Sequence, residues 1–377
     1  MKIMMNSGRI SPFFTTRMRL IDSVQKAGWD VTVTGYEIEK KNLCDEHNTG
    51  FFEIPFARAG LNPISDLKVI RRYESVMKKE RFDIVHSYTI KPNIYGSIAA
   101  KRAGVKGIFP TVNGLGYSFT NEESGNFKSK MVRLVVSYLY RKAFSCATKV
   151  FFQNADDAGE MVRRGIIDRD KCVVISGSGI DLESFPYSRA SMLPMKFLLA
   201  TRLLITKGVR TYFEAAKIVK EKYPEVIFEL AGGLDPNPDG IQKEELDSYT
   251  ADGTITYLGH VDNMAKALTE CSVFVLPSFY REGVPHAILE AMSTGRAIIS
   301  TQSPGCKETV RNVDKNGKGL NGFLIEPKNS AQLANAMIWM IEHPEEVKQM
   351  GAESRRYAED RFDVEKVNKI MMESMGI

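Results

Sequence analysis

The densest run of chemistry-bearing side chains is Ser278 to Glu290, SFYREGVPHAILE, directly after the apolar run SVFVLP. Glu282 and Glu290 are separated by seven residues, with Gly283 and Pro285 between them. A helix is expected to start near Val284, because a proline in a first turn removes only an N–H that has no partner there anyway. Such a start presents N–H donors to a phosphate. Glu282 then sits in the loop above the strand and Glu290 about two turns down the helix, roughly 10 Å away at ~1.5 Å per residue. One carboxylate can grip sugar hydroxyls and the other ribose hydroxyls of a nucleotide sugar. Two solvated glutamates would show the same spacing, but the Gly-Val-Pro turn between a buried strand and a helix favours a site.

A second group lies in ATRLLITKG, Ala200 to Gly208. Arg202 offers a bidentate fork and Lys207 a mobile point charge, so the two can converge on a diphosphate. They are equally readable as surface charges with Gly208 ending a turn. Further glycines follow apolar runs: Gly8 after KIMMNS, Gly232 and Gly233 after FELA, Gly259 after ITYL. Each permits close backbone approach to a ligand or simply relieves a turn. None spells G-x-G-x-x-G, and ISGSGI carries its glycines late in the first half.

Toward the N-terminus, His86 closes the expected strand FDIVH, and a helix is expected to open after Pro92. A histidine at that end of a strand can hold a phosphate or sugar hydroxyl or move a proton, and it can as well be a partly buried imidazole bonded to backbone. Asn113 and Gly114, in TVNGLGYSFT, form a turn expected at the same end, and Lys91 adds charge near it. In FKSKMVRLVVSYLYRKAF, Met131, Leu134, Val135 and Tyr138 follow helical spacing while Lys130, Arg133, Ser137 and Arg141 fall on another face. That stripe suits either a helix resting on anionic lipid headgroups or one packed on the core.

Positioning these residues requires a particular order of elements. Short, often β-branched runs alternate with helical patterns throughout: KIMM, DVTVT, FFEI, DIVH, GIFPT, KVFFQ and CVVI in the first half, then KFLLAT, VIFELA, TITY, SVFVL, AIIS and GFLI. This alternation specifies parallel sheets with crossover helices. Gly, Ser and Pro cluster from Ser176 to Pro194, so the expected organisation is one domain over 1–185, a second over 186–363, and a helix over 364–377 that crosses back to the first. A chain of 377 residues exceeds what one core usually supports. The fold class is α/β, two doubly wound domains facing across a cleft at the carboxyl ends of their strands.

Composition narrows the chemistry. Residues 1–185 carry 28 Lys and Arg against 20 Asp and Glu, and residues 186–377 carry 23 against 26, which points the first half toward an anionic partner such as a phosphate-bearing substrate or a membrane surface. The basic residues are dispersed and match no nucleic-acid motif, so no nucleic acid is expected. Five cysteines and five histidines are scattered, without Cys-x-x-Cys or His-Glu-x-x-His spacing. Free thiols and no dedicated metal are the expectation. No run of about 18 apolar residues exists, and MKIMMNSGRI is too short in apolar content for a secretory signal, so a cytoplasmic chain is expected.

The segment EGVPHAILEAMSTGRAII, joined to TRLLITKG and to GIDLESF from Gly179 to Phe185, resembles the family-4 retaining glycosyltransferases of GT-B fold. The resemblance covers most of the chain. It implies that Arg202 and Lys207 bind the donor diphosphate, Glu290 the ribose and Glu282 the donor sugar, with Gly283, Val284 and His286 along the sugar and phosphates. Gly8 and Gly259 would line the donor site, and His86, Lys91 and Asn113 the acceptor side. The runs HSYTIKPNIYGSIAAKRAG and NGLGYSF are similar to members that extend lipid-linked oligosaccharides or surface polysaccharides. These imply a UDP-hexose or UDP-N-acetylhexosamine donor, a polyprenyl-diphosphate saccharide acceptor, no metal, and peripheral attachment to the inner face of the cell membrane. A nucleotide-sugar epimerase or hydrolase of similar architecture is the rival reading.

Overall fold

A computed structural model describes residues 1–55, 63–116, 119 and 127–377. The chain forms two compact units, Met1–Ser178 together with Val364–Ile377, and Gly179–Asp363. The division falls within the Gly/Ser/Pro-rich stretch, earlier than 185/186.

The first unit is built on β1 (Lys2–Asn6), β2 (Asp30–Gly35), β3 (Gly50–Glu53), β4 (Ile84–Tyr88), β5 (Gly107–Val112), β6 (Val150–Phe152) and β7 (Cys172–Val174). All pair in parallel in the order β3-β2-β1-β4-β5-β6-β7. Helices α1 (Met18–Lys26), α2 (Asn42–Glu46), α3 (Pro63–Glu80), α4 (Ile90–Ala103), α5 (Phe127–Cys146) and α6 (Ala155–Arg163) make the connections. The central strands are apolar on both faces because helices cover both. One face carries Met4, Val85 and Ile108, and the other Ile3, Met5, Val31 and Val33, against which Val367, Met371 and Met375 of the C-terminal helix, Val364–Met375, are packed.

Two expectations about these elements change. The helix after β4 begins at Ile90, before Pro92, because Pro92 occupies a first-turn position where its missing N–H is no loss. In α5 it is Val136, Tyr140, Ala143 and Phe144 that face the core, whereas Met131, Leu134 and Tyr138 are 47%, 66% and 54% exposed. Packing on the core therefore does not explain the apolar stripe.

The second unit contains β8 (Lys196–Ala200), β9 (Ile227–Ala231), β10 (Thr256–Gly259), β11 (Val273–Val275), β12 (Ala297–Thr301), β13 (Lys318–Gly319) and β14 (Gly322–Ile325). Their order is β10-β9-β8-β11-β12-β14-β13. All pairs are parallel except β13–β14, a short antiparallel edge that the sequence reading lacked because its strand is two residues long. Helices α7 (Val209–Lys222), α8 (Lys243–Ala251), α9 (Met264–Glu270), α10 (His286–Thr294), α11 (Ser330–Glu342) and α12 (Pro344–Tyr357) cover it. Asn263 and Asn329 cap α9 and α11 by accepting from Lys266 N and Gln332 N, each at 2.9 Å. In each sheet the direction of strand addition reverses beside its first strand, β1/β4 and β8/β11, and open α/β sheets bind ligands at the carboxyl ends there.

Candidate functional site

The second unit brings together residues from the carboxyl ends of β8, β9, β10, β11 and β12. After β8 the chain makes a tight turn, Ile205–Lys207, ended by Gly208 at φ +79°. A Cβ on Gly208 would lie 2.1 Å from the Pro277 carbonyl oxygen, so only glycine allows the turn to lie against the loop after β11. Phe279 N and Tyr280 N donate to Thr206 O at 2.9 and 3.1 Å and lock the two loops together. Lys207 Nζ then lies 2.6 Å from Glu282 Oε1, with both side chains nearly nine-tenths buried. Ser278, fully buried, donates to the same oxygen at 2.9 Å. On the far side Gly305 packs against the Glu282–Gly283 backbone. Cys306 beside it is fully buried; burial and the charge of Glu282 push its thiol up to about 12, so it stays protonated.

Helix α10 starts at His286, with Pro285 as N-cap, two residues later than expected. Gly283 and Val284 therefore belong to the loop. His286 Nδ1 is 2.9 Å from Glu290 Oε1 one turn along, so the imidazole orients that carboxylate. The two glutamates have different companions, an ammonium for Glu282 and an imidazole for Glu290. Arg202, half-exposed, donates through Nη1 to Asp235 Oδ2 at 3.0 Å. Burial would raise the Asp235 carboxyl, but hydrogen bonds from Asn237 and the Arg202 charge hold it below its ordinary range. Arg202 and Lys207 are thus held by different carboxylates. Gly259, at φ +66°, accepts from Gly232 N at 2.7 Å, and a Cβ on Gly232 would stand 1.8 Å from Thr201 O. These two glycine turns therefore lie beside Arg202.

In the first unit the Gly8 loop is fixed by Glu37. Its carboxylate accepts from Arg9 Nε at 2.7 Å and from Ser11 N at 2.9 Å, while Tyr36 N donates to Gly8 O at 3.0 Å. Burial opposes ionisation, yet the Ser11 and Arg9 hydrogen bonds bring the Glu37 pKa down to about 2 from 4.5. A depressed pKa means stability fully present above pH 4.5 and lost as pH falls through 2, about 3 kcal/mol at 1.36 kcal/mol per unit. In a Trp339→Phe background, where Trp29 reports the first unit, Glu37→Gln should remove about 3 kcal/mol of the acid-induced loss of unfolding free energy between pH 6 and 2, leaving the part due to other carboxylates such as Glu160, whose burial opposes ionisation but which Arg164 and Arg163 hold below its ordinary range; an unaltered acid limb would refute this assignment.

The acceptor-side candidates change most. His86 is not at the end of its strand: β4 continues to Tyr88, and the imidazole is fully buried between Thr111 Oγ1 at 2.8 Å and the Tyr88 hydroxyl at 3.4 Å. Burial, reinforced by Arg17, lowers its pKa to about 3, so it is a neutral core histidine with no open face for an acceptor proton. Lys91 is 3.6 Å from Asp66, both largely buried, so its charge is already engaged on α3. Asn113 does lie just past β5, accepting from Gln153 Nε2 at 3.4 Å. Tyr117, Ser118 and Thr120 of that turn lie outside the described residues.

Ser278, Asp235, Gly305 and Glu37 were missed by sequence reasoning. Pro304-Gly305 is a turn signal that could have drawn attention to the third; Asp235 and Glu37 take their roles from contacts distant in sequence, and Ser278, four residues before Glu282, heads the run singled out above but was given no role there. Among the described residues no group of three His, Cys, Asp or Glu could hold a metal ion.

Two Rossmann-like sheets, with a basic turn and two separately supported glutamates at the carboxyl ends of the second, define a glycosyltransferase of the GT-B fold. The chain belongs to the family-4 glycosyltransferases: residues 7–154 match the glycosyl transferase 4-like family and residues 188–357 the glycosyl transferases group 1 family. It is 33% identical over 76% of its length to the Campylobacter jejuni N,N'-diacetylbacillosaminyl-diphospho-undecaprenol alpha-1,3-N-acetylgalactosaminyltransferase, covering 75% of that protein. It is 30% identical over 79% of its length to the Escherichia coli UDP-Gal:alpha-D-GlcNAc-diphosphoundecaprenol alpha-1,3-galactosyltransferase, covering 76% of it. Among solved structures, Anabaena HepE in complex with UDP and glucose shares the fold at a TM-score of 0.77 and 19% identity, over 100% of this chain and 99% of that one.

Proposed function

We propose that this enzyme transfers a hexose or N-acetylhexosamine from a UDP-sugar to a polyprenyl-diphosphate-linked saccharide, with retention at the anomeric carbon. The second unit takes the donor and the first the acceptor. The observation that carries the reading is the buried Lys207–Glu282 pair, steadied by Ser278, at the carboxyl end of the second sheet. A diphosphate competes with Glu282 for the lysine, and the carboxylate so released accepts from sugar hydroxyls. Arg202 takes the other phosphate, Glu290 the ribose hydroxyls with His286 orienting it, and Gly259, Gly283 and Val284 leave space for the phosphates and sugar. Relatives from both bacteria act on diphospho-undecaprenol-linked sugars. UDP-galactose is α-linked and the E. coli relative makes an alpha-1,3 bond, which supports retention.

The bond between the anomeric carbon and the diphosphate oxygen breaks, with its electron pair leaving on UDP. The acceptor oxygen bonds to the same face of that carbon, and its proton passes to the departing phosphate oxygen. Lys207 and Arg202 stabilise the charge that accumulates there. Neither glutamate needs to act as the nucleophile of a double-displacement glycosidase.

The exposed side of α5 supports attachment to an anionic membrane surface. Met131, Leu134 and Tyr138 stand out from the helix with Lys130, Arg141 and Lys142 also exposed. No described helix is long and apolar enough to cross a bilayer. Inserting such side chains stabilises docking by about 1.5–3 kcal/mol each, and each basic residue adds about 1 kcal/mol near anionic lipid. Leu134→Glu should therefore reduce sedimentation with phosphatidylglycerol vesicles by about tenfold or more; equal sedimentation would exclude this face.

The transfer itself is tested by incubating a panel of UDP-sugars with and without a short prenyl-diphosphate saccharide and weighing the lipid product. Acceptor-dependent gain of one sugar establishes the reaction. Donor loss without such gain would replace it with hydrolysis or epimerisation.

A further inference from the structure

At the β1/β4 switch point of the first unit lies a small cavity unused by the donor chemistry, its wall mostly apolar, with Leu20, Ile175 and Met371 beside a few polar groups. Its lining includes Arg17, Tyr88, Thr111, Gln153, Ser178 and Asn368 and contains no acidic side chain. It has room for one water-sized body, about 10 Å³. Arg17, at the start of α1, is partly buried with its guanidinium 4.2 Å above the Tyr88 ring. Arg17 donates to Thr16 Oγ1 at 3.0 Å and also hydrogen-bonds the Tyr88 hydroxyl, and among the described residues it forms no ion pair. Burial lowers its pKa and the Tyr88 hydroxyl opposes this in part, so the positive charge is held at a cost that no carboxylate among the described residues offsets. Asn368, on the C-terminal helix, is 3% exposed, and its Nδ2 donor has no partner. Gln153 Nε2 donates to Ser178 Oγ at 2.9 Å, which leaves the serine hydroxyl's own hydrogen available to an acceptor. A partly buried cation, an orphaned amide donor and a hydroxyl around one oxygen-sized space are complementary to an anionic oxygen.

We propose that this cavity is an anion site of the first unit that admits one phosphoryl oxygen, with the rest of the group at its mouth beside Arg17. Arg17 supplies charge and a planar fork, and Asn368 a neutral donor from the C-terminal helix, so occupation ties that helix to the switch point. The acceptor's diphosphate is the source that fits the transferase reading, on which that part rests. The anion site itself stands independently.

The test is calorimetric titration of inorganic pyrophosphate into the whole protein with UDP saturating, so that the donor diphosphate site is already filled. Wild type should bind a single equivalent. Arg17→Gln should weaken it about tenfold or more, Arg17→Lys less, and Asn368→Leu severalfold. Each variant is first checked for an unchanged circular dichroism spectrum and UDP affinity. Equal pyrophosphate affinity in wild type and a folded Arg17→Gln, or no binding by wild type, would overturn the site. Competition by a soluble prenyl-diphosphate saccharide assigns it to the acceptor. Competition by free phosphate alone, or by phosphatidylglycerol vesicles alone, overturns that assignment while leaving the anion site standing. Because the readout is binding, a failure of the proposed transfer reaction would not mimic either result.

Discussion

Lys207→Met is expected to lower kcat by about 10²–10³-fold while UDP-sugar still binds, the range seen when one preorganised donor to a developing oxyanion is removed. Two effects combine. The departing diphosphate loses an ammonium held in a largely water-excluded site, and Glu282 loses the partner that holds it at 2.6 Å before the donor enters. The first dominates in turnover, because Ser278 still holds the carboxylate at 2.9 Å. Glu282→Gln, which keeps the hydrogen-bonding shape but removes the charge, should cost less than Lys207→Met. Because the two side chains touch, the double variant should lose less than the two single losses multiplied together. Steady-state kinetics with the four proteins give the coupling directly. A kcat for Lys207→Met within threefold of wild type would remove the lysine from the reaction, and strict multiplicativity would mean that the pair does not act as a unit.

The cluster after β11 was more legible in the sequence than the candidates of the first unit for a physical reason. Glu282, Gly283, Val284, His286 and Glu290 lie within one strand–loop–helix connection, so spacing alone places them at the carboxyl end of β11. His86 gave a local signal that could not show where β4 ends; two further residues, Ser87 and Tyr88, pair with β5 and draw the imidazole into the core. Lys91 could be seen to be charged but not to meet Asp66, which lies on α3. The stripe on α5 was visible as periodicity, and only tertiary packing shows that Val136 and Tyr140, rather than Leu134 and Tyr138, cover the core. The alternation of short apolar runs with helical patterns was enough to specify parallel sheets with crossover helices, whereas the order of the strands emerges only from their pairing. The short β13 edge, with only Lys318 and Gly319, had too few residues to carry any pattern.

Gly305→Ala should damage both stability and turnover although residue 305 bears no functional group. Gly305 has φ +79°, where an L side chain is strained, and a Cβ built there would lie 1.7 Å from the Gly283 carbonyl oxygen and 2.7 Å from that of Glu282. Those neighbours are backbone atoms, so no rotamer change relieves the clash. The loop carrying Glu282 must move away from the turn after β12. The left-handed conformation alone costs about 1–2 kcal/mol, and the displaced contact brings the total to about 2–4 kcal/mol. For a unit of this size that corresponds to a fall of about 5–15 °C in its melting temperature. Glu282 would shift relative to Lys207, and a misplacement of about 1 Å can cost about 10²-fold in rate. Gly233→Ala is the control for alanine at an open, unstrained glycine, since its φ lies outside the left-handed region and its Cβ would meet nothing within 4 Å. It should stay within about 0.5 kcal/mol of wild type. Calorimetry and kinetics on the two variants separate the strained, crowded position from a general intolerance of alanine in glycine turns. If Gly305→Ala melted and turned over like Gly233→Ala, the glycine would not be what holds the Glu282 loop in register. If it lost stability but kept its rate, the loop would carry Glu282 without having to fix its position for catalysis.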